Sequence, residues 1–130
     1  MPCPNCGGKT VAFPLPDRTR QVLPEGRAGA EICRDCLWTA PIENPPAEYP
    51  DFDAVLEDFP TGEGGAVAAS LLGLLDSLAV YRGEIETLAD QAEREGVDVL
   101  LLLDRLAASG RIQTHFDMGR RRHQLEQLLG

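Results

Sequence analysis

Two short stretches of sequence decide how the N-terminal part of the chain folds: Cys3-Pro4-Asn5-Cys6 and Cys33-Arg34-Asp35-Cys36. They hold all four cysteines of the 130 residues. A Cys-x-x-Cys turn places two sulfur atoms on one side of the backbone, so two such turns supply the four thiolates that tetrahedral zinc requires. The spacing therefore predicts one structural Zn²⁺ ion bound by Cys3, Cys6, Cys33 and Cys36. Because four thiolates fill the coordination sphere, no position remains for a catalytic water.

A redox site and structural disulfides are the two alternative uses of these cysteines. A redox Cys-x-x-Cys pair normally occurs once, at a strand-to-helix junction of a βαβ unit, whereas this chain has two pairs in a segment rich in glycine and proline. Disulfides are disfavoured in the reducing interior of a cell. Four thiolates also suit iron, so the spacing leaves iron open beside the preferred zinc.

The first knuckle (residues 3–7, Cys-Pro-Asn-Cys-Gly) resembles the zinc-ribbon family, in which Cys-Pro-x-Cys-Gly turns bring β-strands together around zinc. The second knuckle (residues 33–37, Cys-Arg-Asp-Cys-Leu) keeps both ligands but has Leu37 where that family commonly has glycine. The resemblance implies a small β-sheet built on the two turns. Apolar side chains at alternating positions indicate strands at 9–15, 30–33 and 38–40, with a loop over Pro16–Gly29.

Composition divides the chain into three parts and predicts an α+β fold. Residues 1–42 hold the cysteines and six of the ten prolines, and they form the predicted zinc ribbon. Residues 43–60 are acidic and proline-rich, which is typical of a linker, with one helical turn around Asp53–Asp58. Residues 61–130 contain no proline and are rich in helix formers, which predicts a helical bundle. On this division, metal removal should unfold the ribbon and leave the helices in place.

Four short helices are predicted in the bundle, at Gly65–Ala79, Gly83–Glu95, Val99–Ala108 and Met118–Leu129. Leucine, isoleucine and alanine recur in them at helical spacing, and Gly96 and Gly110 follow the second and third as stop signals. Asp98 and Asp117 precede the third and fourth helices, where a carboxylate accepts from the free N–H groups of the first turn. The short connections imply antiparallel neighbours.

The chain is strongly acidic, with a formal net charge of -9 and Lys9 as its only lysine among 12 basic residues. An acidic surface does not attract nucleic acid or an anionic membrane. It is typical of proteins from salt-loving cells, where charge is screened within about 3 Å at 1 M salt. The longest aliphatic run, Val99–Leu103, is far too short to span a bilayer, and no signal peptide is visible. We therefore expect a cytoplasmic protein that does not bind membranes.

One stretch of the helical part resembles helix-turn-helix domains, through Ile85–Ala89, Gly96–Asp98, Leu103–Leu106 and Gly110–Ile112. A recognition helix must present polar and basic side chains to phosphates and base edges. The helix in that position carries mainly leucine and aspartate, with Arg105 as its one basic residue. A helix packed within the bundle is therefore preferred over a DNA-reading helix.

The one basic cluster of the chain is Arg120-Arg121-Arg122-His123. It has two interpretations, a binding site for an anionic partner and a solvated helix face. The second is preferred, because Asp117 with Arg121 and Arg122 with Glu126 are spaced to form i,i+4 pairs.

The sequence offers little for enzyme chemistry, and no catalytic residue is predicted. His115 and His123 are the only histidines, and no serine or cysteine lies in a nucleophile motif. The glycines of Gly62–Gly65 lack the preceding strand and following lysine of a phosphate-binding loop, so they are interpreted as a flexible helix entry.

Nearly the whole chain resembles a small zinc-ribbon protein family of halophilic archaea that has no assigned function. The resemblance is carried by the two knuckles, Val11–Pro14, the acidic linker, and the helical tail around Leu74–Leu78 and Leu103–Leu106. It implies zinc and an archaeal cytoplasm, and it implies no reaction.

These observations favour a non-enzymatic zinc-binding adaptor that contacts a protein partner through the bundle or through the ribbon tip with Trp38. The alternative is a nucleic-acid-binding transcriptional regulator that uses the helix-turn-helix-like segment and the ribbon arginines Arg18, Arg20, Arg27 and Arg34. A zinc-containing or redox enzyme is the third and least favoured reading. A homo-oligomer formed through the leucine-rich helices is a further hypothesis.

Overall fold

A three-stranded antiparallel sheet forms the N-terminal part of the molecule. The computed structural model describes residues 2–130, and its strands are β1 (Thr10–Pro14), β2 (Gly29–Cys33) and β3 (Thr39–Ile42), in the order β1-β2-β3. The register places Phe13 opposite Ala30 and Val11 opposite Ile32, so these side chains share one face. Phe13, Ala30 and Ile32 are buried there. The predicted α+β class and its N-terminal sheet are confirmed.

The predicted loop Pro16–Gly29 contains a one-turn helix, α1 (Asp17–Arg20), that the sequence analysis missed. Thr19 is fully buried, and its hydroxyl donates to Gln91 Oε1 at 2.9 Å. The Gln91 Nε2 amide in turn donates to the carbonyl of Arg18 at 3.2 Å. A helix this short is unstable alone, so its formation depends on these contacts with a residue more than seventy positions away.

The predicted bundle is present as α2 (Gly62–Leu75), α3 (Arg82–Arg94), α4 (Val99–Ala108) and α5 (Met118–Leu129). The predicted bounds of α4 and α5 are confirmed. Asp98 accepts from the Leu101 amide at 3.1 Å, and Asp117 accepts from the Arg120 amide at 3.0 Å, so both predicted N-caps are confirmed.

The bounds predicted for the first helix of the bundle were wrong at both ends. The glycines predicted to be a flexible entry lie inside α2, which begins at Gly62. At the other end, α2 stops at Leu75, although the apolar spacing continues to Leu78. Leu78 is buried, so it reaches the core from the turn after the helix, and the spacing alone did not show where the helix ends. Across residues 2–130, none of the helices combines the length and the apolar character needed to cross a bilayer.

One continuous buried hydrophobic cluster joins the sheet, the segment 43–60 and the helices. Segment 43–60 contributes Phe52, Val55 and Phe59, each at most 2% exposed. Phe52 begins a short 3₁₀ turn (Phe52–Ala54), and its ring centroid lies 5.5 Å from that of Phe13 and 5.3 Å from that of Phe59. The segment interpreted as a linker thus contributes to the core, while unfolding of the ribbon without the helices after metal removal stays a prediction.

Helix α2 lies close against β3 because Gly73 has no side chain. A Cβ atom at this position would be 2.8 Å from the Cβ of Thr39, closer than side chains pack. Thr39 lies two positions after the second knuckle, next to Trp38. The Thr39 hydroxyl donates to the carbonyl of Leu37 at 3.0 Å. The contact therefore joins the longest helix to the strand that leaves the second knuckle.

Candidate metal centre

The four cysteine sulfurs converge on one point at the edge of the sheet. All four Sγ atoms lie within 4.8 Å of one another. The closest pairs join the two knuckles, with 3.6 Å between the Sγ atoms of Cys3 and Cys36 and 3.5 Å between those of Cys6 and Cys33. A tetrahedral centre with bonds of about 2.3 Å requires about 3.8 Å between sulfurs. The four predicted ligands are therefore brought together in an arrangement that fits a metal ion.

The two knuckles have the same backbone conformation. The amide of Gly7 donates to the carbonyl of Cys3 at 2.8 Å, and the amide of Leu37 donates to the carbonyl of Cys33 at 3.0 Å. Both turns then require a positive φ, which is 76° at Gly7 and 66° at Leu37. Leucine thus adopts the left-handed conformation for which glycine is preferred, at a cost of about 1–2 kcal/mol. Leucine in place of the glycine that is common in zinc ribbons therefore does not alter the turn.

Burial of Leu37 offsets this conformational cost. Its side chain is fully buried and belongs to the main hydrophobic cluster, together with Phe13 and Phe52. Burying a leucine side chain stabilises the fold by about 1.5–3 kcal/mol, which is at least as large as the strain at its backbone. The second knuckle is therefore anchored in the core by Leu37, the residue that departs from the zinc-ribbon pattern.

Hydrogen bonds aimed at sulfur favour thiolates in both knuckles. The amide of Asn5 donates to Cys3 Sγ at 3.3 Å, and the amide of Asp35 donates to Cys33 Sγ at 3.4 Å. The side-chain amide of Asn5 also donates to Cys36 Sγ at 3.5 Å. These donors provide the outer contacts that orient the ligands of metal sites.

Burial acts in the opposite direction on the protonation of these cysteines. Burial raises the pKa of Cys33 and raises that of Cys36 to about 12. For Cys3 burial also raises the pKa, but hydrogen bonds from the backbone of Cys6 and Asn5 outweigh it, and the pKa lies below the ordinary value of a cysteine. Because buried thiolates are costly without a compensating charge, this donor set suits a divalent cation.

Exposure differs between the ligands. Cys3, Cys33 and Cys36 are at most 3% exposed and form a small buried cluster separate from the main core. Cys6 is exposed. Solvent therefore reaches the centre from the side of the first knuckle.

The connection between α4 and α5 lies along the second knuckle, which the sequence analysis did not predict. The amide of Gln113 donates to the carbonyl of Asp35 at 2.8 Å. The His115 amide and its Nδ1 atom lie 3.2 and 3.0 Å from the carbonyl of Cys36. The Arg111 guanidinium donates to the carbonyl of Arg34 at 2.7 Å. These partners are more than seventy positions apart, so no local sequence signal indicates them.

An aromatic group lies beside the second knuckle. Trp38 is 37% exposed, and its ring centroid is 5.2 Å from that of His115. The imidazole ring also contacts Phe116, at 4.8 Å between centroids. The ribbon tip that was predicted to contact a partner is thus adjacent to the α4–α5 connection.

The ribbon arginines have partners within the chain. Arg18 pairs with Glu63 at 3.2 Å and with Glu95 at 3.4 Å. The other three pair as follows: Arg20 with the carbonyl of Gly26, Arg27 with Glu25 and Glu43, and Arg34 with Asp35. Such exposed pairs add little stability, but they offset the positive charge locally.

Two arginines of the basic cluster on α5 likewise have partners within the chain. The predicted pair of Arg122 with Glu126 is confirmed at 2.9 Å, and Arg122 also pairs with Asp104 of α4 at 3.0 Å. Arg121 pairs with Asp76 at 3.7 Å rather than with Asp117. The side chains of α4 at 99, 102, 103 and 106 are buried, which agrees with the preferred packing role of this helix.

Comparison with known proteins identifies the family of the chain. No curated protein and no solved structure matches the sequence. A family model does match, and it covers residues 2–129, from the first knuckle to the end of α5. The chain belongs to this family, described as a family of unknown function (DUF6276).

Proposed function

We propose that the protein is a non-enzymatic adaptor whose N-terminal ribbon is built on one structural zinc ion. The observation that carries the proposal is the convergence of four cysteine sulfurs within 4.8 Å. Thiolates in this number are the donor set of closed structural zinc sites. Cys3, Cys6, Cys33 and Cys36 are its four ligands, and zinc is preferred to iron.

The surroundings of the site support a structural role rather than catalysis. Three of the four ligands are buried, and a fourth thiolate completes the set, so a substrate has no coordination position. Beside the site, His115 directs Nδ1 at the carbonyl of Cys36, where it positions the backbone. We therefore propose that the protein acts through the surfaces that the metal holds in place.

The surface around Trp38 is the proposed site of partner contact. Tryptophan is enriched at the centres of protein interfaces, and this chain has one, exposed beside His115 and Phe116. Pairing of the ribbon arginines with carboxylates favours a protein partner over nucleic acid. The acidic composition supports a cytoplasmic site of action in a salt-loving archaeal cell.

Metal analysis tests the first part of the proposal. The full chain, purified without added metal, should contain one zinc per chain by elemental mass spectrometry, and Cys36→Ser should lower that ratio markedly. Leu88→Ala is the matched control, because it removes a fully buried side chain of α3 outside the sulfur cluster and should retain zinc. Iron in place of zinc would change the metal assignment, and a metal-free wild type would refute the site.

Affinity purification from the native host at its own salt concentration tests the second part. A specific protein recovered with the wild type should be lost with Trp38→Ala and retained with Leu101→Ala, which alters another exposed apolar residue, on α4. Recovery of nucleic acid without any specific protein would overturn the adaptor proposal. Size measurement of the pure chain separates a homo-oligomer from a monomer.

A further inference from the structure

Three consecutive carbonyl groups of the second knuckle accept hydrogen bonds from residues 110–116, the α4–α5 connection. The carbonyl of Arg34 accepts from the Arg111 guanidinium, that of Asp35 from the Gln113 amide, and that of Cys36 from His115. These carbonyls belong to the turn between two proposed metal ligands. Their directions are therefore set by the conformation that the sulfurs impose on the turn.

Arg111 extends these contacts to the core segment. Besides the Arg34 carbonyl, its guanidinium reaches the Asp35 carboxylate at 3.1 Å and the carbonyls of Ala54 and Val55. The planar fork of arginine supports several such bonds at once, which lysine does not. One side chain thus joins the second knuckle to the segment that carries Phe52 and Val55.

The α4–α5 connection has few other contacts to hold it. It contains no regular secondary structure, and among residues 110–115 only Ile112 is buried. Gln113 is exposed, so its amide depends on the carbonyl of Asp35 for a partner within the chain. Segments with little buried apolar surface open locally at low free-energy cost.

We propose that metal binding orders the α4–α5 connection, and with it the aromatic group Trp38–His115–Phe116, through the carbonyls of residues 34–36. This inference rests on the proposed metal site. Arg111 and His115 act as positioning residues, since neither touches the sulfurs. The metal fixes the turn, the turn directs its carbonyls, and the carbonyls hold the connection against the ribbon. The proposed partner surface is then complete only in the metal-loaded protein.

By thermodynamic linkage, the coupling between metal binding and ordering of the α4–α5 connection is reciprocal, so it can be measured at either site. If the metal orders the connection, then contacts from the connection must increase metal affinity by the same factor. Loss of Arg111 should therefore weaken metal binding, although its guanidinium makes no contact with a ligand sulfur. Loss of an arginine that contacts other backbone carbonyls, away from the second knuckle, should leave metal affinity unchanged.

Hydrogen exchange on the full chain tests the first direction. The amides of Gln113 and His115 should be protected in the zinc-loaded protein and should exchange at least about tenfold faster after zinc is removed with a chelator. The amide of Val97, which donates to the carbonyl of Ala92 in the α3–α4 turn, is the internal control and should change little. Equal protection of the Gln113 and His115 amides with and without zinc would overturn the inference.

Competition with a chromophoric chelator, using Zn²⁺ alone, tests the second direction. Arg111→Ala should bind zinc about tenfold more weakly than the wild type, within the usual range of coupling between sites. Arg105→Ala is the matched control, since Arg105 also donates to two backbone carbonyls, those of Glu57 and Asp58, but not to the knuckle. It should bind zinc within about twofold of the wild type.

A second variant keeps the test decisive if Arg111→Ala does not fold. His115→Phe retains a ring against Trp38 but removes the Nδ1 contact with the Cys36 carbonyl. It should weaken zinc binding about threefold and leave the thermal stability of the zinc-loaded form nearly unchanged. Equal zinc affinity of Arg105→Ala and Arg111→Ala, or unchanged affinity of His115→Phe, would overturn the inference. If the wild type binds zinc, such results leave the proposed zinc site intact; a wild type without zinc affinity refutes both.

Discussion

The two knuckles have the same backbone conformation but differ in burial and in the residues that contact them. In each knuckle, the residue after the second cysteine has a positive φ. The amide of Cys3 donates to the carbonyl of Gly8, and the amide of Cys33 donates to the carbonyl of Trp38, both at 2.8 Å. The first knuckle is largely exposed, including the ligand Cys6. The second is anchored in the core through Leu37 and is contacted by the α4–α5 connection.

This difference indicates that the two halves of the candidate metal site are stabilised in different ways. Besides the sulfur cluster, the second knuckle has the apolar burial of Leu37 and hydrogen bonds from the α4–α5 connection. The first knuckle has no side chain in the main cluster, and it meets the second through the sulfur cluster, the Asn5 side chain and the close approach of Gly8 to Asp35. The metal is therefore expected to matter most for the first knuckle.

Zinc removal should have the largest effect and should separate the two knuckles. Structural zinc contributes about 10–16 kcal/mol in small zinc-finger peptides. Because this chain has a large core besides the site, we expect its free energy of unfolding to fall by about 5 kcal/mol and its melting temperature by on the order of 15 °C. In hydrogen exchange, the amide of Cys3 should lose more protection than the equivalent amide of Cys33.

Circular dichroism of the same sample distinguishes a continuous core from a ribbon and a helical bundle that unfold independently. The division made from sequence predicts that the helices remain intact after zinc removal. The continuous core predicts that their melting temperature falls as well, because Phe13, Ile32 and Leu37 of the ribbon pack in the same cluster as the helices. An unchanged helix melting temperature in the metal-free chain would support independent domains.

Substitution of Leu37 should give the next largest effect, with an unusual order of two variants. Leu37→Ala and Leu37→Gly should each destabilise the protein by about 2–5 kcal/mol, because a fully buried leucine is lost. Glycine normally costs more than alanine, but at a φ of 66° it relieves strain. Leu37→Gly should therefore be the more stable of the two by about 1 kcal/mol in urea denaturation.

Gly7 provides the comparison in the first knuckle. Gly7→Ala should cost about 1–2 kcal/mol from the positive φ alone, since an added Cβ there meets no atom within 4 Å. If Leu37→Ala proved at least as stable as Leu37→Gly, the left-handed conformation of the second knuckle would be contradicted.

Gly73 tests whether helix packing supports the second knuckle. Gly73→Ala should destabilise the protein by about 1–3 kcal/mol, because the new methyl group overlaps Thr39 beyond the second knuckle. Gly83→Ala is the matched control on α3, where an added Cβ meets nothing within 4 Å and should stabilise the helix by about 0.5 kcal/mol. Thermal denaturation of both variants measures the two effects, and equal signs would refute the close packing of α2 on β3.

The sequence was most informative where the determinants are local. The two Cys-x-x-Cys turns and the capped helices α4 and α5 were predictable, because each depends on residues within a few positions: the cysteine spacing, Asp98 and Asp117. A cap or a metal-binding turn leaves a pattern that can be recognised without knowing its partners.

The parts that sequence analysis missed depend on distant contacts. Helix α1 is stabilised by the buried pair of Thr19 and Gln91, and segment 43–60 is ordered by burial of Phe52 and Phe59. Its prolines and acidic residues suggested a linker, but three aromatic side chains in eighteen residues were the signal of a packed segment. Arg111 had no such signal, since its partners at 34, 35, 54 and 55 become neighbours only in the folded chain.

The smallest predicted effect concerns Asn5, whose side chain forms a hydrogen bond from the first knuckle to the second. Its side-chain amide donates to Cys36 Sγ across the site at 3.5 Å. Asn5→Ala removes this bond, which is worth about 1 kcal/mol, and should weaken zinc binding about fivefold. Asn5→Asp should weaken it further, because a carboxylate beside four thiolates adds like charge without a donor. Zinc competition at fixed pH and salt should give the order wild type, Asn5→Ala, Asn5→Asp; equal affinity of all three would contradict a contribution of the Asn5 side chain to the site.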